Sequence, residues 1–146
     1  MAMLPRLCAA LMFSLCCLHA AQAQDLSLQP KYGSVQKSSA QQAADAQFLS
    51  KVDELYKGDR KQAAEDVALK GWGSLRQGDA SGAMRRFNQA WLLDQGNGKA
   101  LWGMAMVEVG SGQRSEALAL FAEAEKIVGS DPRFASDYAR AKGQAQ

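Results

Sequence analysis

Four glutamates in the second half of the chain come closest, by type and spacing, to catalytic side chains. Glu116 and Glu123 are seven residues apart, on one face of a helix. Glu108 and Glu125 are the other two. Two carboxylates can act as general acid and general base when their surroundings separate their pKa values. The sequence predicts no deep pocket that would shift these pKa values, so a solvated, charged helix face is favoured over an enzyme.

Histidine and cysteine, the other residues with rich chemistry, are confined to the first 23 positions. Cys8, Cys16, Cys17 and His19 account for all of them. If this segment is removed, the chain has no ligands for a usual zinc site and no residues for a Ser-His-Asp or Cys-His mechanism. No metal ion and no cofactor is therefore expected.

The first 23 residues have the order of a secretory signal peptide. A short basic start is followed by the apolar run Leu7–Leu18 and by Ala21-Gln22-Ala23, which predicts cleavage after Ala23. The run is shorter than the ~20 residues that span a bilayer, although a membrane anchor or a buried helix is the alternative. No cysteine follows a small residue as lipidation requires. We expect an exported, periplasmic bacterial protein without a lipid anchor or a stable membrane span after cleavage.

Charge is nearly balanced over residues 24–146. The full chain has 17 basic and 15 acidic side chains, and cleavage would remove Arg6. The densest basic cluster is Arg85-Arg86, interpreted as a solvated helix face, with an anion-binding site as the alternative. Without a basic stripe, a nucleic-acid partner is not expected.

These side chains must be positioned by helices. Residues 24–38 contain Pro30 and Gly33 without a helical period, which predicts a flexible, extended leader. Residues 39–143 are predicted to form one helical domain. The predicted helices are Ser39–Lys57, Arg60–Gln77, Ala80–Asp94, Gly98–Val109, Arg114–Val128 and Pro132–Lys142. Gly58-Asp59 and Gly78-Asp79 are predicted to end one helix and cap the next.

Small and aromatic residues in this domain recur every 34 positions. The matching pairs are Gly78 and Gly112, Ala83 and Ala117, Phe87 and Phe121, and Ala90 and Ala124, with the small residues Gly71 and Ala105 on the preceding helices. Small residues let antiparallel helices pack closely, and a 34-residue helix-turn-helix period is typical of stacked repeats.

Between about Ala64 and Val128 the chain resembles the tetratricopeptide repeat family. "LLDQGN" resembles the family's Asp-Pro-x-Asn repeat ending, with Asp94 and Asn97 in place and Gln95 where proline is usual. The resemblance implies an all-α fold in which two helix-turn-helix repeats form a short right-handed solenoid. An N-terminal helix and a C-terminal capping helix, with Phe134, Tyr138 and Ala141 on its apolar edge, flank the repeats. The chain as a whole resembles small exported bacterial repeat proteins.

In this family the first helix of each pair lines a concave groove that receives peptides. In this chain the resemblance implies the following groove positions: Glu65, Ala68, Trp72, Leu75, Arg76, Lys99, Trp102, Met106 and Val109. Trp72 and Trp102 are offset by about one helical turn, which predicts a diagonal apolar track bordered by Arg76 and Lys99. For these two tryptophans, a place in the groove and a place in the core are equally weighted alternatives. Trp91 forms a stripe with Met84 and Phe87 and is expected in the core.

The resemblance implies a non-enzymatic protein–protein interaction module, an adaptor or scaffold that binds a peptide or protein segment outside the cytoplasm. The alternative is a structural or assembly subunit that stacks on another helical-repeat protein of the cell envelope. A homo-oligomer is compatible with either function. A glycan- or cell-wall-associated enzyme ranks last.

Overall fold

The computed structural model describes residues 25–143, and this part of the chain is all-helical. Six α-helices follow one another: α1 Ser39–Tyr56, α2 Arg60–Arg76, α3 Ala80–Leu93, α4 Gly98–Gly110, α5 Arg114–Val128 and α6 Pro132–Gly143. Each predicted helix is present and ends within one residue of its predicted end. The predicted signal peptide, residues 1–23, lies outside the described residues.

Glycine followed by aspartate separates the first three helices, as predicted. Gly58 and Gly78 have φ of 82° and 80°, a left-handed conformation that glycine adopts without a Cβ clash. The carboxylates of Asp59 and Asp79 then accept hydrogen bonds from backbone amides three residues later, at 3.0 and 2.8 Å. Each pair thus ends one helix and satisfies a free amide of the next.

The recurring residues form the core of a short tetratricopeptide-repeat solenoid. Helix α2 packs on α3, α4 on α5, and α3 on α4. The six small or aromatic helix residues of the 34-residue pattern are all fully buried: Ala83, Phe87, Ala90, Ala117, Phe121 and Ala124. The tight-packing interpretation of the spacing is therefore confirmed.

The Phe87 ring fills the space left by two glycines on neighbouring helices. A Cβ built on Gly71 of α2 would lie 2.6 Å from this ring, and one on Gly103 of α4 would lie 2.2 Å from it. Phe87 is fully buried. The glycines thus allow α2 and α4 to approach the same aromatic ring.

Helix α6 covers the end of the repeats, as predicted. Phe134 is 1% exposed, and the Tyr138 ring stacks on Phe121 with centroids 5.1 Å apart. An Arg114 guanidinium nitrogen donates to the carbonyls of Ala141 and Lys142, at 2.5 and 3.2 Å, and so satisfies the C-terminal end of α6.

The leader does not follow the extended path that the sequence predicts. It forms two 3-10 turns, Leu26–Leu28 and Pro30–Ser34, that lie against α3. Hydrogen bonds from Asn88 hold this segment, and hydrophobic periodicity carries no information on such bonds. Its flexibility stays a prediction.

None of the helices from Ser39 to Gly143 is long and apolar enough to cross a membrane.

Candidate functional site

A groove of about 410 Å³ lies between α2, α4 and the start of α6. It contains four of the residues predicted for the partner groove, Trp72, Arg76, Lys99 and Trp102, and four that the sequence did not predict, Leu69, Asp131, Arg133 and Asp137. The first helices of both repeats thus contribute to one concave site, and α6 closes its far side.

The two tryptophans contact each other at the base of the groove. Their ring centroids are 4.8 Å apart, in an edge-to-face arrangement. Trp72 donates from Nε1 to the Lys99 carbonyl, and Trp102 donates from Nε1 to Asp137 Oδ2, both at 3.2 Å. Trp102 is only 8% exposed, whereas Trp72 is partly exposed. Trp102 therefore belongs mainly to the core, and Trp72 has a face available to a ligand.

Further aromatic rings support these tryptophans from below. Trp72 packs against Phe87, and Trp102 against Phe134, each with centroids 5.7 Å apart. Phe87 and Phe134 are buried. Edge-to-face pairs at this distance stabilise the observed orientation of the rings in the groove floor.

Most charges at the groove already have partners. Lys99 pairs with Glu65 at 2.5 Å, Arg133 with Asp131 at 3.0 Å, and Asp137 with Arg140 at 3.4 Å. Arg76 at the end of α2 is exposed, and no carboxylate among residues 25–143 pairs with it. The groove therefore combines an apolar floor with one cation that a ligand can neutralise.

The remaining predicted groove residues lie elsewhere. Glu65 stands beside the groove, where it also accepts from Asn97 Nδ2 at 3.0 Å. Leu75 and Met106 are partly buried against the core. Ala68 is fully buried within the core cluster, so its predicted groove position is wrong. Val109 lines a separate cavity of about 220 Å³ beside Arg114.

Two signals account for what the sequence analysis missed at this site. Leu69 is 56% exposed and lies one turn before Trp72, so the i, i+3 spacing could have identified it. Asp137 lies outside the apolar edge that the sequence predicts for the last helix, Phe134, Tyr138 and Ala141. In the structure it turns toward Trp102, because the indole N–H of a buried tryptophan requires an acceptor.

Trp91 is partly buried and packs against the core, in agreement with its predicted place there rather than in a binding site. Met84 and Phe87 of the same stripe are buried, at 1% and 0% exposure. Trp91 packs on the edge of this core. A stripe predicts which face of a helix turns inward, but the ends of a wide stripe remain at the boundary with solvent.

The four glutamates lie on α4 and α5 in different surroundings. Glu123 pairs with Lys31 at 2.7 Å, and Glu116 and Glu125 are exposed. Glu108 is 8% exposed; burial, and secondarily the charge of Glu116, raise its pKa. No group of three His, Cys, Asp or Glu side chains within residues 25–143 is arranged to hold a metal ion.

A comparison with known protein families agrees with this architecture. The family model described as tetratricopeptide repeat matches residues 74–142, from the end of α2 to the end of α6. No curated protein and no solved structure matches the sequence significantly. The match includes α3 to α6, the helices that carry the 34-residue recurrence and its closing cap. Residues 74–142 of this chain are therefore a tetratricopeptide-repeat region.

Proposed function

We propose that this protein is a non-enzymatic interaction module that binds an apolar, acidic segment of a partner protein in the groove between α2, α4 and α6. Tetratricopeptide repeats are in general protein–protein interaction modules. The observation that carries the proposal is the combination of exposed Leu69, partly exposed Trp72 and unpaired Arg76 around one groove of about 410 Å³.

The groove chemistry selects the kind of segment. Trp72 and Leu69 offer apolar contact area to a bound segment. Arg76 can make two parallel hydrogen bonds to a carboxylate, which fixes the orientation of a bound segment. Aromatic residues and arginines are also the side chains that contribute most to binding free energy at protein interfaces.

Export is the second part of this proposal. Its support is the order of basic, apolar and Ala-x-Ala segments in residues 1–23. In that setting the groove would meet partners of the periplasm.

Site-specific photo-crosslinking in the producing cell tests the groove. A photoreactive residue at position 69 should capture a discrete protein, and the crosslinked peptide should contain an aspartate or glutamate beside apolar residues. The matched control is the same probe at position 122, which is exposed on α5 outside the groove. Capture of a second copy would instead favour the assembly-subunit alternative.

Variants then measure the groove contribution with the captured peptide. Trp72→Ala should weaken binding by about 2 kcal/mol or more if this side chain is a hot spot. Arg76→Ala should weaken binding and remove its salt dependence, while Arg86→Ala on α3 should change neither. Equal capture at positions 69 and 122, or unchanged binding by Trp72→Ala, contradicts the proposal.

A further inference from the structure

A second ligand-like contact lies on the second helices of the repeats, away from the groove. Residues 25–34, here called the strap, cross α3 and reach α5. None of the strap residues is itself buried. Polar contacts to α3 and α5 hold the strap, and Leu26, Pro30 and Tyr32 are also partly buried.

The side chain of Asn88, on α3, contacts the main chain of the strap. Its Nδ2 donates to the carbonyls of Ser27 and Gln29, at 2.9 and 2.8 Å, and its Oδ1 accepts from the Tyr32 amide at 3.3 Å. Asn88 is fully buried, so these bonds replace all contact with water. One side chain thus recognises two carbonyls and one amide of a peptide segment, independent of strap side chains.

Charged pairs flank this central contact. Arg85 of α3 bonds to Asp25 and to Ser27 Oγ, at 3.4 and 3.2 Å. Lys31 bonds to Glu123 of α5 at 2.7 Å. The surface therefore fits a segment with an acidic residue at one end and a basic residue six positions later.

The strap backbone adopts a conformation that an unbound segment avoids. Lys31, Tyr32, Gly33 and Ser34 have φ between 52° and 69°, and left-handed backbone is unfavourable for every residue but glycine. Such a run persists only where surrounding contacts hold it.

The Arg85 and Asn88 contacts have no counterpart in the second repeat. The positions 34 residues after Arg85 and Asn88 are Ala119 and Ala122, both exposed. The repeat fold itself therefore does not require an arginine and an asparagine at these places.

We propose that Arg85, Asn88 and Glu123 form a peptide-binding site that is occupied in cis by the strap. Its ligand class is a segment with an acidic residue and, six positions on, a basic residue, joined by a main chain that follows the left-handed turn. This site is separate from the groove of the proposed function, and its ligand is a segment of this chain.

A proline at position 32 should displace the strap, while the site residues Arg85, Asn88 and Glu123 stay unaltered. Tyr32→Pro removes the amide that Asn88 accepts from, and proline fixes φ near −65°, which is incompatible with the observed 54°. A dye-labelled peptide of residues 25–34 is then added to the full chain, and binding is followed by fluorescence anisotropy. We expect saturable binding to Tyr32→Pro, and binding to the wild type that is at least about tenfold weaker because its own strap occupies the site.

Companion variants identify the contacts. Adding Asn88→Ala to Tyr32→Pro should weaken peptide binding by about tenfold or more, because three hydrogen bonds are lost together. Adding Arg86→Ala, the neighbour of Arg85 that bonds to Gln89 instead, should not change it. A peptide with proline at position 32 should not bind.

Three results overturn the proposal. The first is no binding of the peptide to Tyr32→Pro. The second is binding that Asn88→Ala leaves unchanged. The third is a Tyr32→Pro chain that is unfolded by circular dichroism, because the strap would then be an integral part of the fold and not a bound segment.

Discussion

Replacing Gly103 with alanine tests the packing that joins the two repeats. The new Cβ would lie 2.2 Å from Phe87 Cζ and 2.3 Å from Cε1, well inside the ~3.5 Å at which carbon atoms attract. Phe87 has no free space to retreat into, because it is fully buried and its ring contacts Trp72. The helices α3 and α4 must therefore separate, or the ring must leave its preferred rotamer.

The size of the effect follows from two opposing terms. Overpacking of a core costs up to about 3 kcal/mol, and the overlap with several ring carbons places this substitution at the upper end. Alanine in place of glycine stabilises a helix by about 1 kcal/mol, which offsets part of this cost. We expect Gly103→Ala to lower the free energy of unfolding by about 2 kcal/mol, which lowers Tm by roughly 10 °C in a domain of this size.

Gly73→Ala is the matched control in α2. Nothing lies within 4 Å of a Cβ at this position, and its φ needs no glycine. The same chemical change should therefore stabilise the protein by about 0.5–1 kcal/mol. Thermal and urea unfolding of both variants, followed by circular dichroism, gives the comparison.

The cause can be isolated with a second substitution. If the Phe87 ring is the obstacle, Phe87→Leu should cost much less in the Gly103→Ala background than in the wild type, and a double-mutant cycle measures this coupling. Gly103→Ala at least as stable as Gly73→Ala would refute the packing argument.

Three further predictions concern other parts of the chain. Glu108→Gln should raise stability at pH 7, because the raised pKa of Glu108 penalises its charged form above that pKa; the gain should vanish below pH 4.5, shown by unfolding at several pH values. Ala117→Leu should cost about 1–3 kcal/mol in urea unfolding, against about 0.5 kcal/mol or less for Glu125→Ala. N-terminal sequencing of the exported protein should begin at Gln24, and retention of Cys16 and Cys17 would contradict export.

The sequence predicted the helices closely because local chemistry sets their ends. Gly78 and Asp79 act through backbone conformation and a side-chain bond within four residues, and neither depends on tertiary contacts. The pattern of Ala83, Phe87 and Ala90 also predicted which face of α3 is buried. Residues 25–34 differ from the prediction because they contact residues distant in sequence, Asn88, Arg85 and Glu123.

The groove was predicted only in part, because its walls come from three helices. Trp72 and Trp102 could be assigned to the correct helices, but groove and core could not be separated, since their exposure depends on how closely α2 and α4 approach. That distance is set by Phe87 between two glycines, a contact among three helices. Asp131 and Asp137 entered the site through the packing of α6, which a spacing within one repeat does not describe.

Recurrence separates the residues of the fold from those of the candidate sites. Phe87 and Ala90 have matching residues 34 positions later, and all of these are buried. Asn88 corresponds to Ala122, Arg76 to Gly110 and Trp72 to Met106, so the residues that carry the two proposals do not recur. Stacking of equivalent repeats requires equivalent buried contacts, whereas binding a single ligand does not. Residues that break the period are therefore the candidates for ligand binding in this protein.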